Sequence, residues 1–344
     1  MPELQQLADA VRAAPGLQGK RDVRLIERLG AGIDGDDAAL VPHGGEQLVI
    51  CGEAISPPLV QADPFGAGAA AVVTNVSDVR AMAGRPLALV DMLVSPDAAH
   101  AEQVLDGIAW AAGLLGVPVV GGHLTLGHPP ALSASCTGVT RRPLRASAAA
   151  PGDVLLAAFA LDGRYMSDTQ PFFSALRDRP PERLRDDGEA LVEVAEAGLC
   201  HAARDVSMPG VAGSLLQMLE TAGCGATLDV GALPRPQGAV LERWLLTFPS
   251  FGFLLAVRLY PLDAGGLWKG DRLAVVPEAR VRHVGALLVL FAVATASELG
   301  GYRMVARVQP ANVRFFERLG WQVDGAPEPY VGVMHQAMTI PLVP

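Results

Sequence analysis

Apolar and polar positions alternate along the chain in short, separable blocks. Residues 47–56 (QLVICGEAIS) and 85–95 (RPLALVDMLVS) are apolar enough to be strands. Between them, residues 64–84 (PFGAGAAAVVTNVSDVRAMAG) read as a helix. Residues 97–116 space their apolar positions at three and four and stop at Gly116 before Pro118, which predicts a second helix. The run VPVVGG and the alternating ALSASCTGVTRRPL predict two further strands. A small, Pro/Gly-marked stretch at 145–153 then places a domain boundary near residue 149.

The second segment opens on the strand DVLLAAFAL. Residues 177–190 (RDRPPERLRDDGEA) are the most charged and Pro-broken stretch, read as a solvated loop. Helices are expected to flank the turn at 203–210, the second over 210–223, and an apolar run closes the segment at 244–261. The third segment predicts a strand at 271–277, a long apolar helix at 284–300, a strand at 303–308, a short helix at 311–320 and a closing strand. The predicted domains are therefore 1–148, 149–262 and 263–344. Strand and helix alternate throughout, which makes the fold class α/β (α+β).

Composition narrows the function. Half of the 344 residues are apolar and 18% are charged, a globular balance. A formal charge of −9 disfavours nucleic acid and anionic membranes as partners. Lys20 and Lys269 are the only lysines, so a lysine-centred P-loop has almost no candidates. The longest apolar stretch, Val284 to Ala296, is 13 residues, short of the roughly 20 a spanning helix needs. The N-terminal residues carry early acids, unlike a signal peptide. Cys51, Cys136, Cys200 and Cys224 are widely spaced and read as buried reduced thiols. A cytoplasmic protein is expected.

The chemistry concentrates at residues 30–39, where Gly30, Gly32 and Gly35 lead into Asp36 and Asp37. Glycines admit close backbone approach to phosphate, and paired carboxylates hold Mg²⁺, which bridges protein oxygens to phosphate oxygens. By itself such a stretch is more often a surface Asx turn. Further acids follow: Glu53 ends a strand, and Asn75 and Asp78 lie three apart on one helix face. Gly121, Gly122 and His123 follow VPVV, where a strand-to-helix turn would present them at a site edge.

GDDAAL, NVSDVRAMAGRPLALVDML, VPVVGGH, PGDVLL and ARDVSMPGVAGSLLQMLETAG, in that order, resemble the aminoimidazole ribonucleotide (AIR) synthetase superfamily. That group includes selenophosphate synthetase, thiamine monophosphate kinase and a hydrogenase maturation protein. More narrowly, the chain resembles the AIR synthase-related proteins of bacterial nitrogen-starvation clusters that contain a nitrilase. The resemblance spans roughly residues 20 to 257. It implies an N-terminal domain that binds ATP–Mg²⁺ and pairs with its twin in a homodimer, and an α+β C-terminal domain that completes the cleft. That second domain looks truncated near Tyr260.

The resemblance makes Asp36, Asp37 and Asp78 metal-binding aspartates, with Asn75 facing the nucleotide and Gly121 and Gly122 forming a phosphate-side turn. Asp205 matches an aspartate that the selenophosphate branch presents from its second domain. His123 stands where several branches have Asp. Glu53 stands where the family has Asp after two threonines, here Cys51 and Gly52. These departures leave the number of metal ions open. No Cys and Lys pair precedes the GDD loop, which excludes the selenophosphate reaction itself. The reaction implied is phosphoryl transfer from ATP to an amide, carbonyl or small-acid oxygen.

The last segment is similar to the second half of a GNAT N-acetyltransferase, a fold that binds the acetyl-CoA pyrophosphate at a helix N-terminus. Arg280, Arg282 and Gly285 match its basic loop, and Asn312 its asparagine. His283 replaces a loop glycine, Phe316 stands at the acid tyrosine, and no strand supplies the usual base. The alternatives to an ATP-dependent enzyme are therefore an acetyl-CoA-dependent transferase and a catalytically inactive nucleotide-binding partner.

Overall fold

Helix α1 (Pro2–Ala13) precedes a hairpin of β1 (Ala39–His43) and β2 (Glu46–Ile55), joined through Gly44 at φ +61°. The short α2 (Pro57–Ala62) leads into α3 (Pro64–Ala81), then β3 (Arg85–Ser95), α4 (Ala98–Leu115), β4 (Val119–Leu126) and β5 (Ala131–Thr140). The computed structural model describes residues 2–14, 17, 29, 35–166, 171–177, 179–208, 210–257, 265–270, 284–330 and 333–342. The chain forms two units, Met1–Val257 and Arg258–Pro344.

In the first unit a five-stranded sheet runs β1-β2-β5-β3-β4. β3 and β4 are parallel and joined through α4, while the other pairs are antiparallel. Helix α3 begins where Asp63 accepts a hydrogen bond from the Gly66 N–H at 2.8 Å and Pro64 presets the first turn. It is Ala/Val-rich and buried almost all round, because it lies between the sheet and α4. The two helices cross at glycines. A Cβ on Gly68 would lie 2.0 Å from the Val104 carbonyl, and one on Gly107 would lie 2.1 Å from the Phe65 carbonyl.

The rest of this unit contains β6 (Val154–Phe159), β7 (Arg164–Tyr165), β8 (Phe172–Ser174), α5 (Pro181–Glu196), β9 (Ala202–Asp205), α6 (Gly210–Ala222), α7 (Leu241–Leu245), β10 (Phe248–Pro249) and β11 (Gly252–Val257). One sheet is β6-β11-β9 and another is β10-β8-β7. Trp244 is fully buried, edge-on to Phe159 and Phe173, and its indole N–H donates to the Pro234 carbonyl at 2.8 Å.

Helix α5 corrects the expected loop at 177–190. Its two prolines sit at the N-cap and first position, where they do no harm. Leu184, Gly188, Leu191, Val192 and Ala195 form a buried stripe at three- and four-residue spacing. The charges that suggested a loop occupy the other face.

In the second unit, β12 (Leu267–Gly270), α8 (Val284–Glu298), β13 (Arg303–Val308), α9 (Val313–Arg318), β14 (Gln322–Val323), β15 (Glu328–Tyr330) and β16 (Val333–Pro341) build a sheet ordered β12-β13-β16-β14, with β15 paired to β16. Its core gathers Trp268, Val289, Met304, Phe316, Trp321 and Met338. The strand expected at 271–277 lies outside the described residues.

Candidate functional site

Asp37, Asp78 and Asp205 reach one point from three elements. Asp37 lies in the bend at 35–38 before β1, Asp78 near the end of α3, and Asp205 at the last position of β9. One carboxylate oxygen from each lies within 4.8 Å of the other two. Asp78 and Asp205 are 6% and 4% exposed. The loop is tied down from below: the Asp205 backbone N–H donates to Asp37 Oδ2 at 2.9 Å. Arg204 donates to the Gly35 carbonyl at 2.8 Å and stands 3.5 Å from Asp37 Oδ1. Gly35 turns the chain at φ +71°, and a Cβ there would meet Thr221 Oγ1 at 3.2 Å. Three hard oxygen donors this close suit a small divalent cation such as Mg²⁺, which demands oxygen ligands. The donor set fits that group.

Asp36 points elsewhere. Its Oδ1 accepts from the Ala146 N–H at 2.6 Å, and Oδ2 is buried with no hydrogen-bond partner among the described residues. Burial pushes its carboxyl up to about 6, against the Ala146 N–H, which favours the charged form. Glu53 stands half-buried on β2 opposite Ala134. Neither Asp36 nor Glu53 belongs to the three-carboxylate group.

Asn75 is fully buried. Its amide donates to the Ala71 carbonyl at 2.8 Å, and its Oδ1 accepts from the Cys51 thiol at 3.4 Å. The side chain therefore fastens α3 to β2 in this structure rather than facing an open cleft. Burial, with the Asp78 charge beside it, raises the Cys51 thiol far above its ordinary range.

Gly121, Gly122 and His123 correct a second expectation. They lie inside β4, paired with Val90, Asp91 and Met92, and not in a turn. All three are exposed on an edge strand. Gly122 is needed there because a Cβ would sit 2.1 Å from Asp91 Oδ1. Asp91 and Arg204 were missed in the sequence. Asp91 interrupts the buried register Leu89–Asp91–Leu93, and its burial raises its pKa. That acid in a core-facing position was the readable signal. Arg204 had none beyond its place beside Asp205.

Gly30, Gly32, Arg280 and Arg282 lie outside the described residues. Gly285 is the second residue of α8. Asn312 is exposed and ends a short 3₁₀ turn, 310–312. Phe316 is 8% exposed and stacks edge-on against Phe315 and Trp321, at centroid distances of 5.5 and 5.4 Å.

Family models match this chain in three places. Residues 35–140 match the AIR synthase related protein N-terminal domain, and 162–264 the corresponding C-terminal domain. Residues 251–321 match the acetyltransferase (GNAT) family. An uncharacterised protein of Synechocystis is 37% identical over 253 residues, covering 71% of this chain and 79% of its own. Selenide, water dikinase of Aeromonas salmonicida is 30% identical over 264 residues, 67% of this chain and 74% of that one. The phosphoribosylformylglycinamidine synthase subunit PurL of Methanopyrus kandleri is 30% identical across 61% of this chain, but only 32% of its own length is spanned. Solved structures share the fold, among them the following two. PurL of T. maritima complexed with ADP has a TM-score of 0.56 at 22% identity, covering 65% of this chain and 38% of that one. AaThiL complexed with AMPPCP and TMP has a TM-score of 0.52 at 19% identity, covering 69% and 84%. This chain belongs to the AIR synthase-related family and carries a GNAT-family region towards its C-terminal end.

Proposed function

We propose that this chain is an ATP- and Mg²⁺-dependent enzyme that phosphorylates an amide, carbonyl or carboxylate oxygen of a small metabolite and so activates it for displacement. The observation that carries the reading is the convergence of Asp37, Asp78 and Asp205 within 4.8 Å. It is supported by similarity to a dikinase and by fold neighbours solved with ADP and AMPPCP. Bound Mg²⁺ would supply neutralising charge for phosphate oxygens. The protein's part is positioning. Asp37 is held by the Asp205 N–H and by Arg204, so its carboxylate is oriented before any ligand arrives.

Asp37→Ala tests the reading directly. At about 100 Kd of ATP–Mg²⁺ the parent should gain about 2.7 kcal/mol of stability by mass action, and the variant none. Calorimetric titration and thermal unfolding both read this. Equal binding by the variant would remove the metal assignment.

The same proposal includes a homodimer through the N-terminal sheet. Ile50 and Met92 remain 37% and 45% exposed on the same face of this sheet, apolar positions a second copy would cover. Light scattering is expected to give about twice 35.8 kDa, and a monomer at micromolar concentration would overturn it.

A further inference from the structure

Arg80 lies two residues beyond Asp78, and a step of two turns a helix by about 200°, so it faces away from the carboxylate group. It is 5% exposed. Among the described residues no hydrogen bond or ion pair satisfies its guanidinium. The acids whose charge it feels are Glu189 and Asp187, and both are engaged by other arginines. Glu189 is bound by Arg85 at 2.5 Å, and Asp187 by Arg179 at 2.5 Å. An arginine guanidinium remains a cation at neutral pH. A buried cation without a close counter-charge is strongly unfavourable, and the C-terminal dipole of α3 offsets only a fraction of that.

The guanidinium opens on a cavity. Arg80, Arg85, Arg185, Gly188, Glu189 and Val117 are among the residues lining a space of about 180 Å³ between the C-terminal ends of α3 and α4 and the middle of α5. Gly188 is what admits the guanidinium, since a Cβ there would lie 2.1 Å from Arg80 Cζ. Arg185 is held in place by the Gly113 and Leu114 carbonyls at 2.9 and 3.2 Å. Arg85 already engages two carboxylates, Glu189 and Glu196, and among the described residues neither Arg80 nor Arg185 has a carboxylate of its own.

We propose that this cavity binds a small oxyanion of the phosphate class, with Arg80 as the principal ligand and Arg85 and Arg185 lining the site. Guanidinium groups match phosphate geometry with paired N–H donors, and the anion supplies the counter-charge Arg80 lacks. The site lies apart from the Asp37 group and does not depend on the reaction proposed above.

Orthophosphate is the probe, titrated against the full chain in EDTA, with sodium chloride of equal ionic strength as the reference. The parent's unfolding midpoint should rise saturably, by about 2–4 °C over the chloride reference. Arg80→Met should show no phosphate response and, in chloride alone, should unfold at a higher temperature than the parent. Gly188→Ala, which displaces the guanidinium without removing it, should lose the response too. Asp37→Asn should keep it. A parent that responds no more to phosphate than to chloride would overturn the proposal. So would an Arg80→Met variant with the parent's response, or loss of the response in Asp37→Asn.

Discussion

At single positions, close backbone approach and burial decide more than residue class does. Gly122 is a case where the side chain is excluded by a neighbour and not by φ. A Cβ would meet Asp91 Oδ1 at 2.1 Å and Cγ at 2.8 Å. Gly122→Ala is therefore expected to lose about 1–3 kcal/mol, as overpacking does. In an Asp91→Ala background the clash disappears and the loss should shrink, which urea unfolding of the four proteins of the cycle measures. Equal losses in both backgrounds would show that Asp91 is not the obstacle. The same local logic separates the paired aspartates of the loop. Asp36 bonds the Ala146 N–H and Asp37 bonds the Asp205 N–H, so neighbours in sequence serve different contacts. Adjacency suggested one shared role, and only the fold shows which of the two joins Asp78.

Among elements, α5 shows how charge is used to seat a helix. Arg85 at the start of β3 bonds Glu189 at 2.7 Å and Glu196 at 2.8 Å, two positions seven apart on one face of α5. The hydrogen bond from Arg85 holds the Glu196 carboxyl below its usual range. A depressed folded pKa means stability that is present above the unfolded value, about 4.3, and is lost as pH falls through the folded one. Both partners are at least a third exposed, so the contribution is under about 1 kcal/mol and screened by salt. Glu196→Gln should lower the urea midpoint slightly at pH 7, and the gap should narrow as the pH drops below about 4. A gap that persists in acid would mean that packing, not charge, carries the difference. These charges misled the sequence reading of 177–190 as a loop. Hydrophobic spacing at Leu184, Leu191 and Ala195 was present but diluted by acids and arginines that pair with residues far away in sequence. By contrast α3, α4 and the strands β2, β3 and β5 were legible, because their apolar periods are dense and their caps lie close to the ends.

At the scale of the molecule, the described residues form three hydrophobic cores, two in the first unit and one in the second. In the first unit a continuous core links the five-stranded sheet to α5, β9 and β11, and this brings Asp205 to Asp37. No local pattern encodes a contact of that length, so Asp205 was readable only through the ordered motifs of its family. The second unit has its own core around Trp268, Met304, Phe316 and Trp321. Acetyl transfer requires a base for the incoming amine and an acid for the departing thiolate. The position that the resemblance to GNAT enzymes assigns to the acid carries Phe316, which has no hydroxyl and is packed between two aromatic rings. It fills a core instead of facing a substrate. The purified protein is therefore expected to show no acetyl-CoA turnover with any amine panel, read by release of free thiol. Phe316→Ala should cost about 3–5 kcal/mol in the stability of this unit, the usual range for a buried aromatic truncation. Turnover by the parent that is lost on Asn312→Ala would make the second unit a transferase. The carboxylate group of the first unit would then have to be explained as a separate activity in the same chain.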